Sequence, residues 1–110
     1  MTLTLYGLKN CDTCKKALKA LEATGSDVRF VDIRAEADLE SSVPTWLGAV
    51  GSDVLVNRRS TTWRGLSDAE RESDPSALLQ ANPTLIKRPV IETGSAVYVG
   101  WTKDVQAVLL

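Results

Sequence analysis

Thr2-Leu3-Thr4-Leu5-Tyr6-Gly7-Leu8-Lys9-Asn10-Cys11-Asp12-Thr13-Cys14 reads as a strand, a short loop and the opening of a helix that carries two cysteines. Leu3 and Leu5 alternate with Thr2, Thr4 and Tyr6 at period two, the mark of a strand with one buried face. Gly7 and Asn10 punctuate the loop. From Cys11 to Thr24 the apolar Cys14, Ala17, Leu18 and Leu21 recur at helical spacing, with Asp12, Lys15, Lys16, Lys19 and Glu22 between them. Gly25 follows as the C′ residue that stops the helix. Val28 to Ile33 is rich in β-branched and aromatic side chains and predicts a second strand. Strand, helix and strand in succession predict a right-handed βαβ unit with parallel strands.

Further along, Val43 to Val50 predicts a helix with Ser42 as its cap, and Pro44 is then expected in the first turn. Asn57 to Arg64 reads as a polar, arginine-rich loop. Ser67 and Glu70 have capping-box spacing, and Asp74-Pro75 opens a short helix to about Gln80. Pro89 to Ile91 and Ala96 to Val99 flank Thr93-Gly94-Ser95, a hairpin signal. Trp101 and Thr102 introduce a terminal helix bearing Val105, Val108 and Leu109. There is no internal repeat, low-complexity tract or linker. The order predicts one α/β domain over residues 1–110 with a mixed sheet, and Trp46, Trp63 and Trp101 are expected in core or loop packing.

Composition narrows the chemistry. The 110 residues are 44% hydrophobic and 25% charged, ordinary for a globular protein. Thirteen basic and fourteen acidic side chains leave a net charge of −1. No global field therefore draws DNA or an acidic membrane. Histidine is absent, which excludes Ser-His-Asp and Cys-His catalysis and imidazole metal sites. Two cysteines alone make a structural zinc site implausible, so no metal is expected. No run of about 18 apolar residues offers a membrane span, and the N-terminus lacks the basic region of a signal peptide. The expected location is the reducing cytoplasm, where two close cysteines point to redox chemistry or catalysis rather than a permanent bridge.

Cys11 and Cys14 stand where a strand hands over to a helix, so the first sulfur faces unsatisfied backbone N–H groups and the positive end of the helix dipole. Both favour thiolate over thiol, and Lys9 and Lys15 add positive potential. Cys14, about one turn on, reaches Cys11 to form or resolve a disulfide, yet it also lies on the apolar face, where burial as a small hydrophobe is the competing reading. Arg88-Pro89 opens an apolar strand that can lie beside this helix. A cis bond there would expose backbone to an extended substrate, and the sequence leaves the isomer open. Arg88 is a candidate anion clamp near Cys11. In Asn57-Arg-Arg-Ser-Thr-Thr-Trp-Arg64, three arginines and three hydroxyls either cup an anion or form a solvated surface.

Together, Tyr6-Gly-Leu-Lys-Asn-Cys-Asp-Thr13, Asn57-Arg-Arg-Ser-Thr-Thr-Trp-Arg64 and Ile86-Lys-Arg-Pro-Val90 resemble the ArsC/Spx family, most closely its small YffB-type members, nearly end to end. The resemblance implies a thioredoxin-like fold, a four-stranded mixed sheet flanked by helices, with a helical insertion at about 34–85. It makes Cys11 the redox-active cysteine and matches Arg88 to an oxyanion-binding arginine; with Cys14 read from the CxxC pair as the resolving cysteine, these three are the expected catalytic residues. Lys9, Asn10, Thr13, Arg59, Arg88 and Pro89 are the expected substrate-binding residues. Three activities follow. The first is a glutathione-dependent thiol-disulfide reductase with no bound cofactor and glutathione as co-substrate, or a glutaredoxin- or thioredoxin-type reductant. The second is a glutaredoxin-coupled arsenate reductase. Asn57 and Gly100 stand where two of its three oxyanion-binding arginines are expected, and Cys14 is a further departure. The third is an Spx-like redox-sensing regulator that binds RNA polymerase, whose CxxC pair this chain shares. The expected state is a monomer with no membrane and no direct nucleic-acid partner.

Overall fold

The computed structural model describes residues 2–110. The chain divides into two compact units, one running through Ala37 and resuming at Arg88–Leu110, the other Asp38–Lys87. The stretch expected as a helical insertion falls largely in the second unit.

In the first unit, strand β1 (Thr2–Gly7) leads into helix α1 (Asp12–Ala23) and strand β2 (Asp27–Asp32). Parallel strands need a crossover, and α1 supplies it. β1 pairs with β2 in parallel, Leu3 opposite Val28 and Leu5 opposite Phe30. Strand β3 (Val90–Glu92) pairs antiparallel with the other edge of β1, setting Ile91 opposite Leu5. Strand β4 (Val97–Val99) completes the order β2-β1-β3-β4 as the hairpin partner of β3. The hairpin turn is closed by Thr93, whose N–H donates to Ala96 O at 2.9 Å and whose Oγ1 accepts from Ala96 N at 3.0 Å. The arrangement is thioredoxin-like, a four-stranded mixed sheet with helices.

Period two in β1 sends Leu3 and Leu5 to one face, where Cys14, Ala17 and Leu21 of α1 meet them. Ile91 joins from β3, and Val105 and Leu109 from the terminal helix α7 (Lys103–Leu109), which Thr102 caps through Val105 N. Leu3, Leu5, Ala17, Leu21 and Ile91 have no solvent exposure. Each large side chain among them contributes about 1.5–3 kcal/mol by leaving water. Helix α1 ends where expected, with Gly25 at φ +86°, a left-handed conformation that favours glycine.

The second unit holds helices α2 (Leu39–Val50), α3 (Ser52–Leu55), α4 (Thr61–Arg64), α5 (Asp68–Arg71) and α6 (Pro75–Ala81), then a 3-10 turn at Pro83–Leu85. Two expectations are corrected here. Helix α2 begins at Leu39 with Asp38 as N-cap, so Pro44 lies inside the helix rather than in its first turn. The hydrogen bond that Pro44 cannot donate would go to the carbonyl of Glu40. Both residues are exposed, so water replaces it. The arginine-rich stretch is not all loop, because Ser60 caps α4 by accepting from Trp63 N at 3.1 Å. The Ser67–Glu70 capping box forms in both directions, and Asp74 caps α6 through Ala77 N. Ile86 bridges Val56, Asn57 N donates to Leu85 O and Lys87 N to Leu55 O, both at 2.8 Å, tying Leu55–Asn57 to Leu85–Lys87.

Candidate functional site

Gly7 ends β1, and Leu8–Asn10 carry the chain to the start of α1, where Cys11 occupies the N-cap with φ −92° and ψ 115°. Its N–H donates to Leu8 O at 3.1 Å, and its carbonyl accepts from Lys15 N at 3.0 Å. No side chain caps the helix. The first-turn N–H groups are therefore unclaimed by side chains at the end where the half-buried Cys11 thiol sits.

Three residues on, Cys14 turns back onto β1 and is 1% exposed. Gly7 makes room for it, since a Cβ built on Gly7 would lie 2.5 Å from the Cys14 Sγ. Burial pushes the Cys14 thiol up from 9.0 to about 12. Its hydrogen bond to Cys11 and the charge there push the same way, while the Leu8 N–H and the Arg88 guanidinium pull down without prevailing. Cys14 is thus a protonated thiol at neutral pH, beside Cys11 and within the field of Arg88. Both cysteines are free.

Arg88 is half-buried and joined to Pro89 by a cis peptide, which answers the question the sequence leaves open. Pro89 is buried, and its carbonyl accepts from Gly100 N at 2.8 Å just before β3. Gly100 itself has φ +83°, so a glycine is required there by the backbone.

Lys9 and Asn10 are exposed and line a cleft of about 450 Å³ with Leu8, Asp32, Arg34 and Ala35. Asp32 roots the far wall, its Oδ1 accepting from Arg34 N at 2.8 Å and Ala35 N at 3.0 Å. The Ala35 and Arg34 N–H groups, then the Lys9 and Arg34 charges, hold the Asp32 carboxyl below its usual range. Asp32 and Arg34 were not singled out from sequence. The signal in the sequence is an aspartate closing a strand, a residue type whose carboxylate accepts from the backbone N–H two residues on in an Asx turn.

Of the other expected residues, Thr13 is exposed in the first turn of α1. Arg59 belongs to the second unit, exposed on a turn where its N–H donates to Asn57 Oδ1 at 3.1 Å. The neighbouring arginines serve structure. Arg58 pairs with Asp53 at 3.4 Å and lies 5.5 Å from the Trp63 ring centre. Arg71 lies 5.3 Å from the same ring centre and donates to Trp63 O at 3.0 and 3.2 Å. Trp46 is fully buried, and Trp101 packs against the core of the first unit.

The family model described as "ArsC family" matches residues 6–108. An uncharacterized protein of Haemophilus influenzae is 40% identical over 110 residues, covering 96% of each chain. The global transcriptional regulator Spx of Listeria innocua is 29% identical, across 93% of this chain and 82% of its own. Among solved structures, the YFFB protein superposes with a TM-score of 0.87 at 34% identity, covering 98% of both chains.

Proposed function

The chain belongs to the ArsC family, and from that premise we propose that it is a cytoplasmic thiol-disulfide reductase that uses Cys11 as nucleophile and glutathione as co-substrate. The observation that carries this reading is Cys11 at an N-cap that no side chain occupies, with the Cys14 thiol beside it and Arg88 acting at the same place. Cys11 gives up its proton and attacks one sulfur of a disulfide. A Cys11–sulfur bond forms, the substrate disulfide breaks, and the leaving thiolate takes a proton. The thiolate of one glutathione then attacks the Cys11 sulfur, so a Cys11–glutathione bond forms and the second half of the substrate leaves as its thiolate. A second glutathione thiolate attacks the resulting glutathione mixed disulfide, so glutathione disulfide leaves. Two glutathione thiols are oxidised and one substrate disulfide is reduced. Cys14 competes for the mixed disulfide only after losing its proton, which burial opposes. Arg88 supplies a fixed cation for an anionic group of the bound thiol. No helix among the described residues is long and apolar enough to cross a membrane, and the reducing cytoplasm supplies the thiol pool the reaction needs.

The test is intact mass after the reduced protein meets glutathione disulfide at neutral pH and free thiols are alkylated. The expected product is one glutathione on Cys11 with Cys14 alkylated, and Cys11→Ser gives neither adduct nor turnover. Turnover retained in Cys11→Ser overturns the reading. An internal Cys11–Cys14 disulfide with no turnover would instead favour redox sensing, the behaviour of a regulator.

A further inference from the structure

The cleft lined by Lys9 and Asn10, the two residues before Cys11, holds charges of both signs. Lys9 and Arg34 make no hydrogen bond through their side chains and no ion pair among the described residues. Asp32 spends Oδ1 on two backbone N–H groups and leaves Oδ2 without a hydrogen-bond partner. Two open cations and one open carboxylate oxygen around about 450 Å³ are complementary to a carboxylate and an ammonium on the same carbon. A simple oxyanion would be repelled by Asp32, whose carboxyl is held ionised.

We infer that this cleft binds the α-amino-acid head of a thiol peptide, the γ-glutamyl end of glutathione, with its carboxylate on Lys9 and Arg34 and its ammonium on Asp32. The inference rests on the proposed function, because it places the co-substrate while its sulfur is joined to Cys11. Lys9 and Asn10 are the two residues before Cys11, so the cleft begins within about 8 Å of the nucleophile along the chain. The glutathione sulfur and its glutamyl α-carbon are separated by a similar roughly 8 Å when extended. In free cystine the ammonium lies next to the sulfur, too close to reach the same wall.

The reaction to follow is formation of the Cys11–glutathione mixed disulfide, in which Cys11 displaces one glutathione thiolate from glutathione disulfide. Its rate is compared with those for the disulfides of des-amino glutathione and of γ-glutamylcysteine, and for cystine. Des-amino glutathione lacks only the ammonium and is therefore more anionic. A cleft that merely attracts anions makes it react faster, whereas the zwitterion site makes it react about tenfold more slowly. The γ-glutamylcysteine disulfide, which lacks glycine, keeps the rate of glutathione disulfide, and cystine falls below it. In Asp32→Asn, whose side-chain oxygen can still accept from the Arg34 and Ala35 N–H groups, the ratio of the glutathione to the des-amino rate collapses towards one. Equal or faster reaction of the des-amino probe, or an unchanged ratio in Asp32→Asn, overturns the inference. So does a rate for cystine matching that for glutathione disulfide. If no disulfide modifies Cys11 at all, the proposed function falls and this inference falls with it.

Discussion

Cys14 is a nucleophile by type and a core residue by place, and its titration separates the two roles. In the unfolded chain its thiol ionises near 9.0, whereas in the fold it holds its proton to about 12. Between those values unfolding releases a proton, so rising pH favours the unfolded chain. The thiol costs nothing well below pH 9.0, and stability then falls towards pH 12, by at most about 1.4 kcal/mol per pH unit. Urea unfolding of wild type and Cys14→Ala from pH 8 upward measures this. Cys14→Ala starts less stable because it loses a buried sulfur, and its stability should fall less steeply with pH. Parallel curves would place the ionisation elsewhere. At this scale the sequence exposed the two sulfurs, since strand, loop and CxxC are contiguous. It hid Asp32 and Arg34, because an Asx turn becomes a binding wall only once β2 lies beside β1. It also left the Arg88–Pro89 isomer open, a property of the packed turn and not of the dipeptide.

The contact between β1 and α1 depends on one missing methyl group. Gly7 has the Cys14 Sγ where its Cβ would stand, at 2.5 Å, with the Cys14 Cβ at 3.1 Å. Sulfur fixed between a strand and a helix cannot retreat, so Gly7→Ala is expected to cost about 1–3 kcal/mol by overpacking. Removing the sulfur relieves most of the clash. A double-mutant cycle with Cys14→Ala should therefore show the two substitutions costing less together than their sum, by about 1 kcal/mol or more. Additive costs in denaturant unfolding would mean the helix simply shifts away. Elements were legible where local signals agreed, as in β1, α1, the Ser67–Glu70 capping box and the Thr93–Ala96 turn. They were not where an expected rule could be relaxed by exposure. Pro44 reads as a helix start because its lost hydrogen bond is costly in a buried helix, but here Pro44 and Glu40 are both exposed. Asn57–Arg64 looked like loop by its polarity, yet Ser60 caps a helix of four residues inside it.

Across the whole chain the net charge is −1, so the protein as a body neither attracts nor repels a small anion. Its charges are nevertheless unevenly arranged along the first unit. Lys9, Lys15, Lys16 and Lys19 surround Cys11 in sequence, all exposed, and Arg34 and Arg88 belong to the same unit. Fields from such a patch reach about one Debye length, roughly 10 Å at 0.1 M salt and 3 Å at 1 M. Any steering of an anionic disulfide to Cys11 is therefore local and screened by salt. Glutathione disulfide is a net dianion at neutral pH, whereas 2-hydroxyethyl disulfide is neutral. Stopped-flow rates of Cys11 modification should fall about threefold or more for glutathione disulfide between 0.05 and 0.5 M salt, by the scale of electrostatic steering. The neutral disulfide should change by less than about twofold, since it has no charge for the patch to act upon. The same salt dependence for both would show that the lysines around Cys11 are solvated decoration. A steep dependence confined to the dianion would show that a nearly neutral protein carries a directed field at its reactive end.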